Sequence, residues 1–162
     1  MVKIFRIITV ILLVFWMLLI FVLSSQPADK SSDTSGGFIE VVVKIVYPGF
    51  DEKTPEQQEE IISNLQFVTR KTAHFALYAI LGQLAFLSVI TYDRIRISER
   101  ISISLCISLI YAISDETHQI YVSGRSGELR DVLIDFTGSL LAILFLLLIA
   151  RFTKFKFLNK YT

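Results

Sequence analysis

Hydrophobic positions along this chain gather into four long runs, and the polar positions between them form one long loop and two short links. Ile7 to Leu23 is an uncharged run of 17 residues following Lys3 and Arg6, which predicts a first membrane-spanning helix over residues 4–23. A cleaved signal peptide is the competing reading, because Val22 and Ser24 suit a small-residue cleavage site. The run is long for such a segment, so an uncleaved anchor is expected. A second span is predicted over residues 70–92, uncharged from Phe75 to Tyr92. A third is predicted over residues 101–121 and a fourth over 129–152. The third is uncharged for only 14 residues before Asp115. At the helical rise such a run covers about 21 Å, short of the roughly 30 Å of hydrocarbon in a bilayer. The third helix must therefore carry its acidic cluster inside the membrane or at its boundary. The fourth again holds acids, Asp131 and Asp135, near its start. The predicted class is an all-α integral membrane protein with four transmembrane helices, a single domain over residues 1–162.

Residues 24–69 make a polar loop of 46 residues with eight acids (Asp29, Asp33, Glu40, Asp51, Glu52, Glu56, Glu59, Glu60) and three lysines (Lys30, Lys44, Lys53). A loop of that length rarely lacks structure of its own. Gly36-Gly37 opens a β-branched patch from Phe38 to Tyr47 that ends at Pro48-Gly49. The patch reads equally as a short strand or as a helix lying on the membrane surface. Thr54-Pro55-Glu56-Gln57 is a helix start: Thr54 can cap, Pro55 suits the first helical position, and Gln57 can complete a capping box. Ile61, Ile62, Leu65 and Val68 then lie on one side. This amphipathic helix is expected to bend or to run directly into the second span. Ser123-Gly124-Arg125-Ser126-Gly127 predicts a turn between the third and fourth spans.

Composition agrees with the spans. The chain is 53% hydrophobic and only 19% charged, with a mean hydropathy of +0.60, which is wrong for a soluble domain and right for a small polytopic membrane protein. Cys106 is the single cysteine, which excludes an intrachain disulfide and a cysteine-based metal site. The N-terminus, the Asp93–Arg100 link and the tail with Arg151, Lys154, Lys156 and Lys160 are basic, whereas the long loop is acidic. The positive-inside rule then puts both termini in the cytoplasm and the loop on the far side of the membrane. The basic residues flank spans rather than line a groove, so nucleic acid is not an expected partner.

Candidate chemistry changes the picture further, because ionisable residues recur at one depth. Counted from the cytoplasmic ends, His74 is 19 residues from Asp93, Asp115 is 15 from Arg100, and Asp135 is 16 from Arg151. Those separations are about 28, 22 and 24 Å along a helix, which brings three spans' polar residues to a similar level near the outer boundary. Lys71, His74 and Tyr78 share one side of the second span. Asp115, His118 and Gln119 do so on the third, and Asp131, Asp135 and Gly138 on the fourth, with Gly138 allowing close helix approach. Taken singly, Arg70 or Lys71 reads as an interfacial anchor, and Asp135 as a bundle-stabilising partner of Arg125. Taken together, charged groups at such depth should face one another or a wet cavity.

At these residues the sequence resembles the VanZ-like family of small membrane proteins. The matching segments are Ser24-Ser25-Gln26, Arg70-Lys71-x-x-His74-Phe75-x-x-Tyr78, Ser114-Asp115-Glu116-Thr117-His118-Gln119, Gly124-Arg125, and Asp131-x-x-x-Asp135-x-x-Gly138. Ser123 departs from the pattern, where proline is expected before Gly-Arg; the change affects turn stiffness rather than chemistry. The resemblance implies a four-helix membrane domain and, in some members, a link to susceptibility to glycopeptide antibiotics such as teicoplanin. It does not itself name a reaction.

Three readings of the polar set follow. In the first, the protein is an acid–base hydrolase or transferase acting on a lipid-linked or amphiphilic anionic substrate. His74, Asp115, Glu116, His118 and Asp135 are the catalytic candidates, with a histidine as base, Asp115 or Asp135 fixing its tautomer, and Glu116 as acid or base. Arg70, Lys71 and Arg125 suit a phosphate or carboxylate, helped by the positive end of the second span. Tyr78, Gln119, Asp131, Ser25 and Gln26 complete the substrate-binding candidates. In the second reading, His74, His118, Asp115, Glu116, Asp131 and Asp135 hold Zn²⁺ or Mn²⁺ as a divalent cofactor. Their spacing matches no strong metal motif and three nearby bases oppose it, so no metal ligand is assigned. In the third, the same cleft binds a membrane lipid head group or a lipoglycopeptide antibiotic without catalysis. A transporter is not expected, since there is no second polar layer and no pair of broken helices.

Overall fold

A computed structural model of the chain describes residues 2–28, 39, 41–43, 45–92 and 94–153. Asp29, Lys30, Asp33, Gly36-Gly37, Phe38, Glu40, Lys44, Asp93, Lys154, Lys156 and Lys160, which enter the charge and loop expectations above, lie outside the described residues. Four long helices carry the fold: α1 (Val2–Ser24), α2 (Pro55–Val89), α3 (Ile97–Gln119) and α4 (Leu129–Thr153). All four are long and apolar enough to cross a membrane. No strand occurs among the described residues, and those of the Phe38–Tyr47 patch between Ile39 and Val46 are helical. Of the two readings left open for that patch, the helical one is observed.

α2 starts where its sequence says it should. The Thr54 hydroxyl accepts the Gln57 N–H, the Gln57 side chain accepts the Thr54 N–H, and Pro55 occupies the first helical position. The helix then runs unbroken for 35 residues. At 1.5 Å per residue that is about 52 Å, so its first four turns project beyond the roughly 30 Å that a bilayer accommodates. The amphipathic segment and the second span are one continuous helix. α3 begins four residues earlier than its hydrophobic run suggests, because the Glu99 carboxylate accepts the Arg96 backbone N–H and grips the Arg96 guanidinium. The end of the basic link is thus the first turn of a helix.

α2 is the hub, packed against α1, α3 and α4, and its interface with α4 is the most extensive. Two glycines make that interface close. A Cβ at Gly82 would collide with the Ser139 backbone, and one at Gly138 with the backbone of Phe75. Small residues at such crossings are the usual means of association in lipid, where hydrophobic burial supplies little drive between helices. Side chains then bond to backbone across the gap: Ser139 Oγ donates to Tyr78 O at 2.8 Å, and Trp16 Nε1 of α1 donates to Leu77 O at 2.9 Å. At the opposite end, Arg6 of α1 donates to Thr91 Oγ1 and O and lies over the Tyr92 ring, 3.6 Å from its centroid. These contacts fix α1 antiparallel to α2 at both ends.

The burial pattern is inverted relative to a soluble bundle. α3 turns Ser104, Ser108, Ala112, Asp115, Glu116 and Gln119 inward, and exposes Ile103, Ile110 and Ile113. α1 exposes most of its large apolar residues and buries a stripe of Thr9, Leu13, Ile20 and Ser24. Apolar surface on this scale would drive aggregation in water and suits contact with acyl chains.

Candidate functional site

Antiparallel packing puts the C-terminal ends of α1 and α3, the N-terminal end of α4 and the middle of α2 at one level. α3 contributes Asp115, Glu116 and Gln119 from adjoining turns, all nearly inaccessible. Gln119 Nε2 donates to Asp115 Oδ2 and to Glu116 Oε1, both at 3.1 Å, and so spaces the two carboxylates. Ser24 at the end of α1 donates to the same Asp115 oxygen at 2.9 Å. The other oxygen of Glu116 accepts the Glu128 backbone N–H at 3.0 Å, which ties the turn before α4 to α3. Gly127 permits that approach, since a side chain there would strike Glu116 O.

Across from this group, α2 and α4 supply His74 and Asp135. His74 Nδ1 lies 3.6 Å from Asp135 Oδ2, too far for a hydrogen bond but close enough for Asp135 to orient the ring. Asp135 is fully buried, and neither of its oxygens has a hydrogen-bond partner. His74 Nδ1, Asp115 Oδ1 and the hydroxyl of Tyr78, one turn deeper on α2, are likewise buried without partners. Native structures satisfy the large majority of buried polar atoms, so such a concentration at one place demands a reason. His74, Asp115, Glu116 and Asp135 each present one donor atom, and these four atoms all lie within 4.8 Å of one another.

Beside the cluster is a cavity of about 100 Å³, lined among others by Arg70, Lys71, His74, Gln119, Arg125 and Asp131. Its bases are not equivalent. Lys71 is paired with Asp131. Arg125 donates to Gln119 Oε1 at 3.2 Å and to the Gln26 carbonyl at 2.8 Å; burial, with Arg70 close by, lowers its pKa from the ordinary guanidinium value. Among the described residues Arg70 makes no ion pair or side-chain hydrogen bond, which leaves it as the cation available to a ligand. Gly124, with φ of 72°, supplies the left-handed residue that turns Arg125 back toward the cavity.

The structure therefore brings together most residues singled out in the sequence and separates two, His118 and Ser25. Asp115, Glu116, His74 and Asp135 converge, Gln119 bridges the two acids on α3, Tyr78 lies beneath, and Arg70, Lys71, Arg125 and Asp131 form the cavity wall. Gln26 takes part through its backbone carbonyl rather than its side chain. His118 turns toward α1 instead, 3.1 Å from Ser25 Oγ and stacked on Phe21 with ring centroids 4.6 Å apart. Ser25 Oγ also bonds to the Phe21 carbonyl at 2.6 Å, so its proton is engaged within its own helix. Asp135 meets His74 rather than Arg125, contrary to the pairing expected of an isolated aspartate. Ser24, Glu128 and Phe67 belong to the site without having been site candidates. Ser24 had a legible signal, since it closes the one-sided stripe of α1. The Glu128 contribution is a backbone N–H, which no side-chain pattern reveals.

Four apolar helices enclosing an ionisable cluster and a cation-lined cavity define a small multi-pass membrane protein with a polar site at one end of the bundle. The chain belongs to the VanZ/LLP1 family, whose model matches residues 9–150. Neither a curated protein nor a solved structure matches it.

Proposed function

We propose that this VanZ/LLP1 protein is an enzyme of the bacterial cytoplasmic membrane that cleaves or transfers an anionic group carried by an amphiphile of the outer leaflet. One observation carries the reading: buried, hydrogen-bond-deficient acid–base groups of three helices adjoin a cavity walled by three cationic side chains. A purely structural network would use up its donors and acceptors. Arg70 and Arg125 receive the anion, and Lys71 adds charge while Asp131 holds it in place. His74, oriented by Asp135, is the base, and Glu116 is the acid, positioned by Gln119 and the Glu128 N–H. The cavity is well below the about 300–1,000 Å³ of sites that enclose drug-sized ligands, which favours a phosphate- or carboxylate-sized fragment with the rest of the amphiphile in lipid. The same argument limits a lipoglycopeptide to presenting one anionic group.

Both termini are cytoplasmic and the site is extracytoplasmic in this reading, because Lys3, Arg6, Arg94, Arg96, Arg100 and Arg151 flank the span ends opposite the cavity. The chain acts as one membrane domain, and a link to glycopeptide susceptibility would follow from altered envelope lipids. The test is to incubate purified protein with native membrane lipids and compare lipid species by mass spectrometry. We expect a product that is absent with Glu116→Gln and His74→Asn. Variants as active as the parent would remove the catalytic assignment. Saturable lipid retention without product would instead establish the non-catalytic binding reading.

A further inference from the structure

We propose that His74, Asp115, Glu116 and Asp135 form a binding site for one divalent transition-metal ion, Zn²⁺ or Mn²⁺. The sequence argues against a metal because the spacing of the candidate ligands matches no strong metal motif and because three bases lie nearby. The folded chain removes both objections. The four donor atoms, drawn from α2, α3 and α4, sit within 4.8 Å of one another. At about 2.1 Å from an ion, ligands of a tetrahedral shell stand about 3.4 Å apart and opposite ligands of an octahedral one about 4.2 Å, so the widest pair closes by roughly 0.6–1.4 Å on binding.

Charge makes the stronger case. Asp115, Glu116 and Asp135 place three carboxylates at membrane depth, where uncompensated charge is costly. Two of the three bases at the cavity are engaged elsewhere, and the third, Arg70, forms no salt bridge to these acids. Lys71 pairs with Asp131, and Arg125 donates to Gln119 and to the Gln26 carbonyl. No arginine or lysine forms a salt bridge to any of the three acids among the described residues. Asp135 is wholly inaccessible with both oxygens unpartnered, and Asp115, 3% exposed, keeps Oδ1 unpartnered. Because both Asp135 oxygens are unpartnered, the one that belongs to the cluster is unpartnered too. A dication satisfies that oxygen and offsets most of the negative charge in one step.

The donor set indicates which ion. One imidazole and three carboxylates, with no thiolate, suit Mn²⁺ or Zn²⁺ rather than copper(I) or an iron–sulfur cluster. Gln119, Ser24 and the Glu128 N–H hold the ligating carboxylates from behind, as supporting bonds do at metal centres. His74 belongs both to the cluster and to the cavity wall, so a ligand resting on Arg70 lies next to the ion.

The assignment goes beyond the proposed reaction, replaces the free-base and free-acid roles of His74 and Glu116 with ligation, and is tested by binding, not turnover. The full chain, purified in nanodiscs and stripped with a chelator, is titrated with Co²⁺ while visible ligand-field absorption is followed, with Zn²⁺ and Mn²⁺ as competitors. We expect one Co²⁺ per chain, displaced by Zn²⁺ or Mn²⁺. Asp135→Asn and Glu116→Gln should weaken binding by more than the about 10–100-fold that loss of an outer-shell partner costs. Glu59→Gln, an exposed acid of α2, should bind as the parent does. Circular dichroism and monodisperse elution verify that each variant is folded. Substoichiometric binding by the parent overturns the site, whatever the variants do, and implies carboxyls that share protons instead. Parent-like binding by folded Asp135→Asn and Glu116→Gln also overturns it. Loss of lipid turnover in the variants without metal binding by the parent would leave the enzymatic reading standing alone.

Discussion

Single residues decide the closest contact in the bundle. Gly138 faces the Phe75 backbone so tightly that a methyl group cannot be added without moving α2 or α4. We expect Gly138→Ala to destabilise the protein by about 1–3 kcal/mol, the cost of overpacking a filled interface. Thermal denaturation in detergent measures it, and an unchanged midpoint would show that the two helices are not held at this distance. Gly82 makes the reciprocal contact with Ser139, yet nothing in the local sequence marked it, since a lone glycine in an apolar run is common in spanning helices. The histidines show the same limit. His74 and His118 were equivalent as catalytic candidates, and only the rotation of α2 and α3 about their axes directs one to the acids and the other to Ser25 and Phe21.

At the scale of elements, helix ends were the most legible feature and helix lengths the least. The Thr54–Gln57 capping box forms as its residues require. Replacing Thr54 with alanine should cost about 1 kcal/mol, a typical price for a lost N-cap. Faster hydrogen exchange confined to the first turns of α2 would report it, with the rest of the helix protected; loosening that extended to His74 would mean that the projecting segment supports the site. The start of α3 was less visible, because arginine is an uncommon cap and the stabilising acid, Glu99, sits in a stretch that otherwise reads as a basic link.

For the whole molecule the open matter is its direction in the membrane, and it is accessible to experiment. In a Cys106→Ser background, a cysteine introduced by Glu59→Cys should react in intact cells with a membrane-impermeant maleimide. One introduced by Arg94→Cys, in the short link after α2, should react only after lysis. The reverse pattern would turn the site toward the cytoplasm and end the outer-leaflet reading, while leaving the metal site untouched. Both positions are exposed, so neither change should disturb packing.

Hydrophobic run lengths alone determined that this chain makes four helices long enough to cross a membrane, and the acids at matching distances from their basic ends determined that a polar layer forms near one face. Both conclusions follow from one-dimensional quantities: the rise of a helix, the thickness of hydrocarbon and the cost of placing ions in it. Which acid meets which base was decided only by packing. Lys71 with Asp131, His74 with Asp135, Ser24 with Asp115 and the Glu128 N–H with Glu116 depend on the angular setting of neighbouring helices and on the path of a turn. Sequence periodicity names the face of a helix but not the face it meets. The close crossings at Gly82 and Gly138 fix that relation, and with it the carboxylate oxygens left without partners.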